Sequence, residues 1–316
     1  MIEIDWLPAE RIPELQEFVD RRWRRGHVLA GDEELLRWQH RRRSEDGRLA
    51  VLVAEEGGAF VGMLGFVEFD ACLVDERGRG GWMTNWLVVP EARGRGLGMA
   101  LVERALGGEY ELVGALDAND ATRHVLGAHG FAERMMTRWV RVFNVEGLRE
   151  LLGSDRKLEA RSTSDLRPSA GPPLGGCRDE SFLRWRYDEH PRFRYEILRG
   201  SGFAAYRIEQ VRDSPARVMR IVDFLGGTEL AEELVETAER ERVVFADFSC
   251  TAASFGAELE RAGFERDERL PRRFQPLDFS DRPPVCCFWA AARLAVDFAS
   301  DDLYVTRADS DLDRPN

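Results

Sequence analysis

Three stretches of the first half of the chain return in the same order in the second half, which limits the fold to two copies of one unit. "DEELLRW" (Asp32 to Trp38) comes back as "DESFLRW" (Asp179 to Trp185), an offset of 147 residues. "MTNWLVV" pairs with "RIVDFLG", setting Asn85 against Asp223 at an offset of 138. "ELVGALDANDATRHVLGAHGF" matches "VVFADFSCTAASFGAELERAGF", so Gly130-Phe131 returns as Gly263-Phe264 at an offset of 133. An offset that shrinks steadily is what a repeated unit gives when the second copy has lost loop residues. At 316 residues the chain has room for about two domains. The expected division is a first unit over 1–150, a linker over 151–177 containing the Ser/Pro/Gly-rich "RSTSDLRPSAGPPLGGC", and a second unit over 178–316.

Within the first unit, periodicity separates strands from helices. "IEIDW" reads as a short strand, and "PAERIPELQEFVDRRW" places Ile12, Leu15 and Phe18 at helical spacing. Asp32 stands as the N-cap of "EELLRWQHRRR". "LAVLVAEE", "AFVGMLGFVEF" and "WMTNWLVV" read as three strands, the first two joined through Gly57-Gly58 as a hairpin. A helix to about Leu106 follows, then the strand "YELVGAL", the helix "NDATRHVLGAHG" closed by Gly130, and one closing strand, "RMMTRWVRVF". This order gives an α/β (α+β) class: a mixed, mostly antiparallel sheet flanked by helices, present twice.

Composition removes several function classes. The net charge is −12, and non-specific nucleic-acid binding needs a basic surface, so no nucleic-acid partner is expected. "RGRGG" (Arg77 to Gly81) is a single copy in an acidic chain and reads as a loop between two strands. No window approaches the ~18 uncharged apolar residues of a membrane span. The start lacks a basic region followed by an apolar core, so the expectation is a cytoplasmic protein with no membrane partner. Cys72, Cys177, Cys250, Cys286 and Cys287 are odd in number and lack CxxC spacing. They read as buried reduced thiols, and no metal site is expected. Lys157 is the only lysine, which rules out a P-loop or Schiff-base chemistry in the first unit.

Chemistry enters at "PEARGRGLGMALVERA" (Pro90 to Ala105), directly after a strand ending at Val88-Val89. Glycines at 94, 96 and 98 let the backbone turn so that several N–H groups point to one place, and the helix start adds its unpaired donors and partial positive charge. Such an assembly binds phosphate oxygens, with Arg93 and Arg95 available to add attraction. A Gly-rich turn that merely starts a helix has the same glycines. The dinucleotide fingerprint beginning at Gly94 fails, because its last glycine would fall on Met99.

The stretch resembles motif A of the GNAT acyltransferase superfamily, Q/R-x-x-G-x-G/A, matched here by Arg93, Gly94, Arg95, Gly96, Leu97 and Gly98 after Val89-Pro90. A second motif of that superfamily, an Asn entering a helix that ends in Gly-Phe, is matched by Asn119 through Gly130-Phe131. The resemblance covers roughly residues 1–143 with both motifs, and the second half more weakly. It implies two tandem acyl-CoA N-acyltransferase folds and transfer of an acyl group, usually acetyl, from acetyl-CoA to the amine of a small-molecule acceptor. By the same resemblance, the loop amides from Arg93 to Gly98 would hold the pyrophosphate, with Asn119 as a further cofactor contact. Leu87, Val88 and Val89 would pair with the pantetheine arm, and an N–H near Val88 would polarise the thioester.

Two departures bear on catalysis. Where many members carry a tyrosine acid this chain has Leu126, and where a glutamate base often stands it has Asn85. Asn85 and Glu68 are the candidate catalytic residues, with Asp70 as a further carboxylate; for Glu68 and Asp70 a solvated position at a strand end competes with that role. A protein that binds coenzyme A or an amino sugar without turnover is the alternative.

The second unit lacks the Q/R-x-x-G-x-G loop; Gly226-Gly227 with Thr228 as N-cap starts its helix instead. It reads as a degenerate copy that no longer holds coenzyme A. "FLRWRYDEHPRFRY" (Phe182 to Tyr195) resembles a segment of tandem GNAT proteins associated with cell-surface sugar pathways. That likeness implies Trp185, Arg186 and Tyr187 as acceptor contacts, whereas Phe182, Leu183 and Trp185 also fit the core face of a helix. "DSDLD" (Asp309 to Asp313) imitates a calcium loop but lacks its glycine, and reads as a solvated acidic tail.

Overall fold

A computed structural model of the chain describes residues 1–44, 46–73, 77–152, 174–266, 270, 273–274, 277–278, 284–292, 294, 296, 298 and 303–313. The chain begins with β1 (Ile2–Pro8), α1 (Ile12–Arg22), α2 (Val28–Gly31), α3 (Glu33–Gln39), β2 (Arg48–Glu56), β3 (Ala59–Cys72) and β4 (Arg77–Val88). It continues through α4 (Leu97–Leu106), β5 (Leu112–Leu116), α5 (Asp120–Ala128), β6 (Ala132–Met135), β7 (Thr137–Val142) and α6 (Val145–Leu152). Then come β8 (Leu174–Gly176), α7 (Glu180–Leu183), β9 (Glu196–Arg199), β10 (Phe203–Gln210), β11 (Arg217–Leu225), α8 (Thr228–Arg240) and β12 (Phe245–Cys250). The described elements end with α9 (Ala257–Arg261), β13 (Glu265–Arg266), the small hairpin β14 (Arg273–Phe274) and β15 (Leu277–Asp278), β16 (Val285–Ala290) and β17 (Leu303–Tyr304).

Two large sheets result, as expected for two mixed, mostly antiparallel units. The first runs β1-β2-β3-β4-β5-β16-β6 and the second β9-β10-β11-β12-β7-β13. In each, one parallel pair, β4 with β5 and β11 with β12, is joined through a helical crossover, while the other pairs along these two paths are antiparallel. The β2–β3 hairpin turns at Gly57 and Gly58 with φ of 61° and 83°, a turn that needs two left-handed residues. α1 buries Ile12, Leu15, Phe18 and Val19 in the first core. Each such side chain contributes ~1.5–3 kcal/mol when fully buried, which holds a helix too short to persist alone.

The two sheets exchange a strand. "RMMTRWVRVF" is not one closing strand: β6 ends at Met135, and β7 from Thr137 lies in the second sheet between β12 and β13. The corresponding seat in the first sheet, between β5 and β6, is taken by β16 from the end of the chain. A division at residue 150 therefore follows the sequence but not the sheets. The 151–177 linker is also shorter than expected at both ends, since α6 reaches Leu152 and β8 begins at Leu174; the rest of it lies outside the described residues.

The repeat is visible as contacts between its copies. Trp38 and Trp185 stack with centroids 5.1 Å apart, and each indole N–H donates to the other's backbone carbonyl, at 3.0 and 3.4 Å. Asp32 and Asp179 cap α3 and α7 through the N–H of Leu35 and Phe182. Gly130 and Gly263, both at φ 82°, close α5 and α9 with Phe131 and Phe264 donating back to Leu126 and Leu259.

Several expectations are corrected. "RGRGG" lies inside β4, and its glycines leave room for rings: a Cβ on Gly80 would sit 2.1 Å from Phe69, and one on Gly81 3.0 Å from Tyr110. Cys72 and Cys177 form a disulfide at the junction of β3 and β8, while Cys250, Cys286 and Cys287 are buried thiols. Gly227, not Thr228, is the N-cap of α8. The acidic tail is not solvated: Asp309 and Asp313 are buried and paired with Arg178 and Arg207 at 2.5 and 2.7 Å.

Candidate active site

Two glycines of the Gly-rich loop are left-handed. Gly94 and Gly96 adopt φ of 75° and 74°, a left-handed backbone that few other residues take, and a Cβ at either would meet open space. Gly96 is the N-cap of α4, and no side chain caps the helix's first N–H groups. Arg93 donates to the Val88 carbonyl at 3.1 Å. Arg95 is committed to Glu56 through two bonds of 2.9 and 2.7 Å, so it does not lend its charge to the loop in this arrangement. Asn119 caps α5 by accepting from the Thr122 N–H at 2.9 Å.

Beside the loop, two strands part. The β4–β5 ladder runs from Gly80–Leu112 to Met83–Ala115 and ends there. At that point β4 carries an extra residue, since Met63 faces Leu87 but Gly65 faces Thr84. Asn85 absorbs the bulge at φ 50°, and a bulge of this kind bends its strand. Further along, Val89 donates to Val61 of β3 at 3.0 Å. Backbone groups alternate in such a ladder, so the Val88 N–H turns the other way, into the wedge between β4 and β5.

His40, a residue that the sequence reading passed over, organises the bulge. Its Nδ1 lies 2.8 Å from the Phe66 carbonyl, which can only accept, so Nδ1 carries the proton and Nε2 is an acceptor. Nε2 receives the amide N–H groups of Asn85 and Gln39 at 3.2 and 3.1 Å. The other amide hydrogen of Asn85 goes to Thr84 Oγ1 at 3.2 Å. The Asn85 amide nitrogen is thus held between His40 and Thr84. Gly65 is required here, because a Cβ would lie 2.6 Å from His40 Cε1.

Glu68 is buried rather than solvated. It accepts from the Tyr110 hydroxyl at 3.0 Å and the Arg43 N–H at 2.8 Å, with Arg42 at 4.0 Å. Burial first, then the Glu68 charge, drives the Tyr110 pKa well above its ordinary value, so the phenol stays protonated as a donor. Asp70 pairs with Arg43. Leu126, at the position of the absent tyrosine, is fully buried in the core.

The second unit has the same wedge with a different content. Its β11–β12 ladder runs from Val218–Phe245 to Arg220–Asp247, and β11 is bulged between Ile221 and Asp223. The pair Tyr187–Asp223, 2.9 Å apart, corresponds to His40–Asn85 in the first unit. Into the wedge runs the segment from Leu303 to Thr306, held by Thr251 and bridged to Cys250. The Tyr304 hydroxyl accepts from the Phe224 N–H at 2.9 Å and lies 2.6 Å from Asp223.

Trp185, Arg186 and Tyr187 do not line a surface that an acceptor could reach. All three are buried: Trp185 against Trp38, Arg186 donating to the Ala308 carbonyl at 2.8 Å, and Tyr187 on Asp223. Their arginine and aromatic character serves the junction of the two units. Among the described residues no helix is long and apolar enough to cross a membrane, and no group of three or more His, Cys, Asp or Glu side chains could hold a metal ion.

Residues 12–135 match the acetyltransferase (GNAT) family model. The chain is similar in structure to a GCN5-related N-acetyltransferase from Anabaena variabilis, with TM-score 0.55 and 11% identity over 90% of this chain and 72% of that one. A GCN5-related N-acetyltransferase from Kribbella flavida gives TM-score 0.55 and 12% identity, over 92% of this chain and 71% of that one. At these identities the likeness is one of fold, and it extends through both sheets. No curated protein matches the chain.

Proposed function

Because residues 12–135 match the acetyltransferase (GNAT) family model, we propose that the first unit is an acyl-CoA-dependent N-acyltransferase that moves an acetyl group to the primary amine of a small molecule. The observation that carries this reading is the open wedge beside an uncapped helix start. Gly94 and Gly96 have room for phosphate oxygens where side chains would stand, and the Val88 N–H is turned into the wedge. A coenzyme A thioester supplies the activated acyl group. The loop amides of Arg93 to Gly98, with Leu87 to Val89, are the residues that would hold it.

The chain's own contribution is orientation and electrostatics. The Val88 N–H is a preorganised donor for the oxyanion that forms as an amine attacks. Asn85, fixed by His40 at the bulge, is the polar side chain that would orient the attacking amine. Neither group takes a proton, so the amine reacts in its neutral form after losing a proton to solvent.

Binding without turnover draws support from two features: Leu126 is buried where a tyrosine acid would stand, and Glu68 already accepts from two donors, with Arg42 4.0 Å away. Thiol release from acetyl-CoA, followed across amines, amino sugars and amino acids, separates the two readings. Amine-dependent release supports transfer; tight acetyl-CoA binding with no release supports the binding protein. A Gly96→Asp protein with wild-type circular dichroism and unchanged acetyl-CoA affinity would sink the loop assignment.

A further inference from the structure

Arg41, Arg42 and Arg43 are consecutive, and two of them are spoken for. Arg42 pairs with Asp46 at 2.8 Å and Glu109 at 3.0 Å, and Arg43 pairs with Asp70. Arg41 differs. Its guanidinium lies 4.5 Å above the Trp185 ring, and among the described residues its side chain makes neither a hydrogen bond nor an ion pair, although it is half-buried. Glu189, Asp70 and Glu68 act on Arg41 through space, but among the described residues none of them closes an ion pair with it. Burial and the neighbouring Arg43 push the Arg41 pKa down to about 10, which leaves it a cation at neutral pH.

The platform beneath Arg41 is rigid, because Trp185 is stacked on Trp38 and tied to it by the reciprocal indole bonds. A guanidinium lying on a ring can turn its N–H edge aside, the geometry that grips a planar oxyanion with two parallel bonds. Arg41 also directly follows His40, whose imidazole holds Asn85, and neighbouring Cα atoms are ~3.8 Å apart. The cation thus sits where the two units meet, next in the chain to the residue that holds Asn85. We propose that Arg41, stacked on Trp185, anchors an oxyanion of the acceptor, so that the substrate is an anionic amine bearing a carboxylate or a phosphate. This rests on the acyl-transfer reading.

The test compares matched acceptors with acetyl-CoA: glycine with glycinamide, and phosphoethanolamine with ethanolamine. The ratio of kcat/KM for the charged member to that for its neutral counterpart is measured in wild type, Arg41→Gln and, as a net-charge control, Arg194→Gln. Comparing one ratio between proteins cancels the different basicities of the amines. The ratio should fall about tenfold or more in Arg41→Gln and stay at the wild-type value in Arg194→Gln; which pair shows the fall tells carboxylate from phosphate. An equal ratio in wild type and Arg41→Gln overturns the proposal. If no amine supports thiol release, the acyl-transfer reading fails instead. Calorimetric binding of glycine and phosphoethanolamine to the acetyl-CoA-loaded protein then decides the site: Arg41-dependent binding supports it, and absence of binding overturns it.

Discussion

In the first unit the ladder between β4 and β5 stops at Met83 and Ala115, and the wedge beyond it opens beside the glycine loop. In the second the ladder between β11 and β12 stops at Arg220 and Asp247, and the chain fills that wedge itself with Leu303 to Thr306. The geometric cause, a bulge in the strand before the crossover, is common to both. What differs is how the exposed backbone is satisfied. Phe224 gives its N–H to the Tyr304 hydroxyl, whereas the Val88 N–H is turned toward the wedge proposed to take coenzyme A. On the proposed reading, one framework yields a binding cleft or a packed interior, depending on which segment is laid into it.

The largest effect should come from the buried tail that follows the filled wedge. Asp313 lies with its carboxylate against Arg207 and Tyr195, fully inside the protein. Asp313→Asn should cost ~3 kcal/mol, because it breaks a buried ion pair and leaves Arg207 with Glu209 as its remaining carboxylate; denaturant unfolding measures it. Arg207 and its neighbours hold the Asp313 pKa below the ordinary carboxylate range against the opposing effect of burial. A depressed folded-state pKa contributes stability that is present above ~4 and lost as pH falls further. The gap between wild type and Asp313→Asn should therefore narrow on going from pH 7 to pH 3, and a constant gap would refute this.

The glycine loop comes next. Gly96→Asp should weaken acetyl-CoA binding about 100-fold or more by calorimetry, through like-charge repulsion and a strained φ. Tyr304→Phe should lower stability by ~1–3 kcal/mol by orphaning the Phe224 N–H, while acetyl-CoA still binds one per chain. A second binding event in that variant would mean that the filled wedge remains a competent site. The smallest effect is assigned to Gly227→Asp, at the equivalent helix start in the second unit. An Asp N-cap should raise stability by a few tenths of a kcal/mol and leave acetyl-CoA affinity as it was.

Much of this was legible in the residues. The offset of 147 between Trp38 and Trp185 was readable as a repeat, and the two rings meet in space. The helix caps at Asp32 and Gly130 follow from local chemistry, as do the left-handed glycines of the loop. The exchange of β7 and β16 was not legible, because apolar strands such as "VCCFWA" fit either sheet and only tertiary packing decides. Nor was the tail: Asp309 and Asp313 look solvated until arginines more than a hundred residues earlier come alongside. The disulfide spans 105 residues with no spacing rule to mark it. His40 belongs to no motif, and only its register with Tyr187 in the repeat could have singled it out.

The strand exchange also sets an order on biosynthesis. A ribosome emitting this chain releases β5 and β6 long before β16, the strand that belongs between them. Until residue 290 has left the exit tunnel, the first sheet has a gap with two unpaired strand edges facing it. Meanwhile β7, already made, waits for partners still to be translated. Neither half can reach its native state as an independent early product, so the two units mature as one late event. Severing the chain between them would yield two fragments that must find each other to fold.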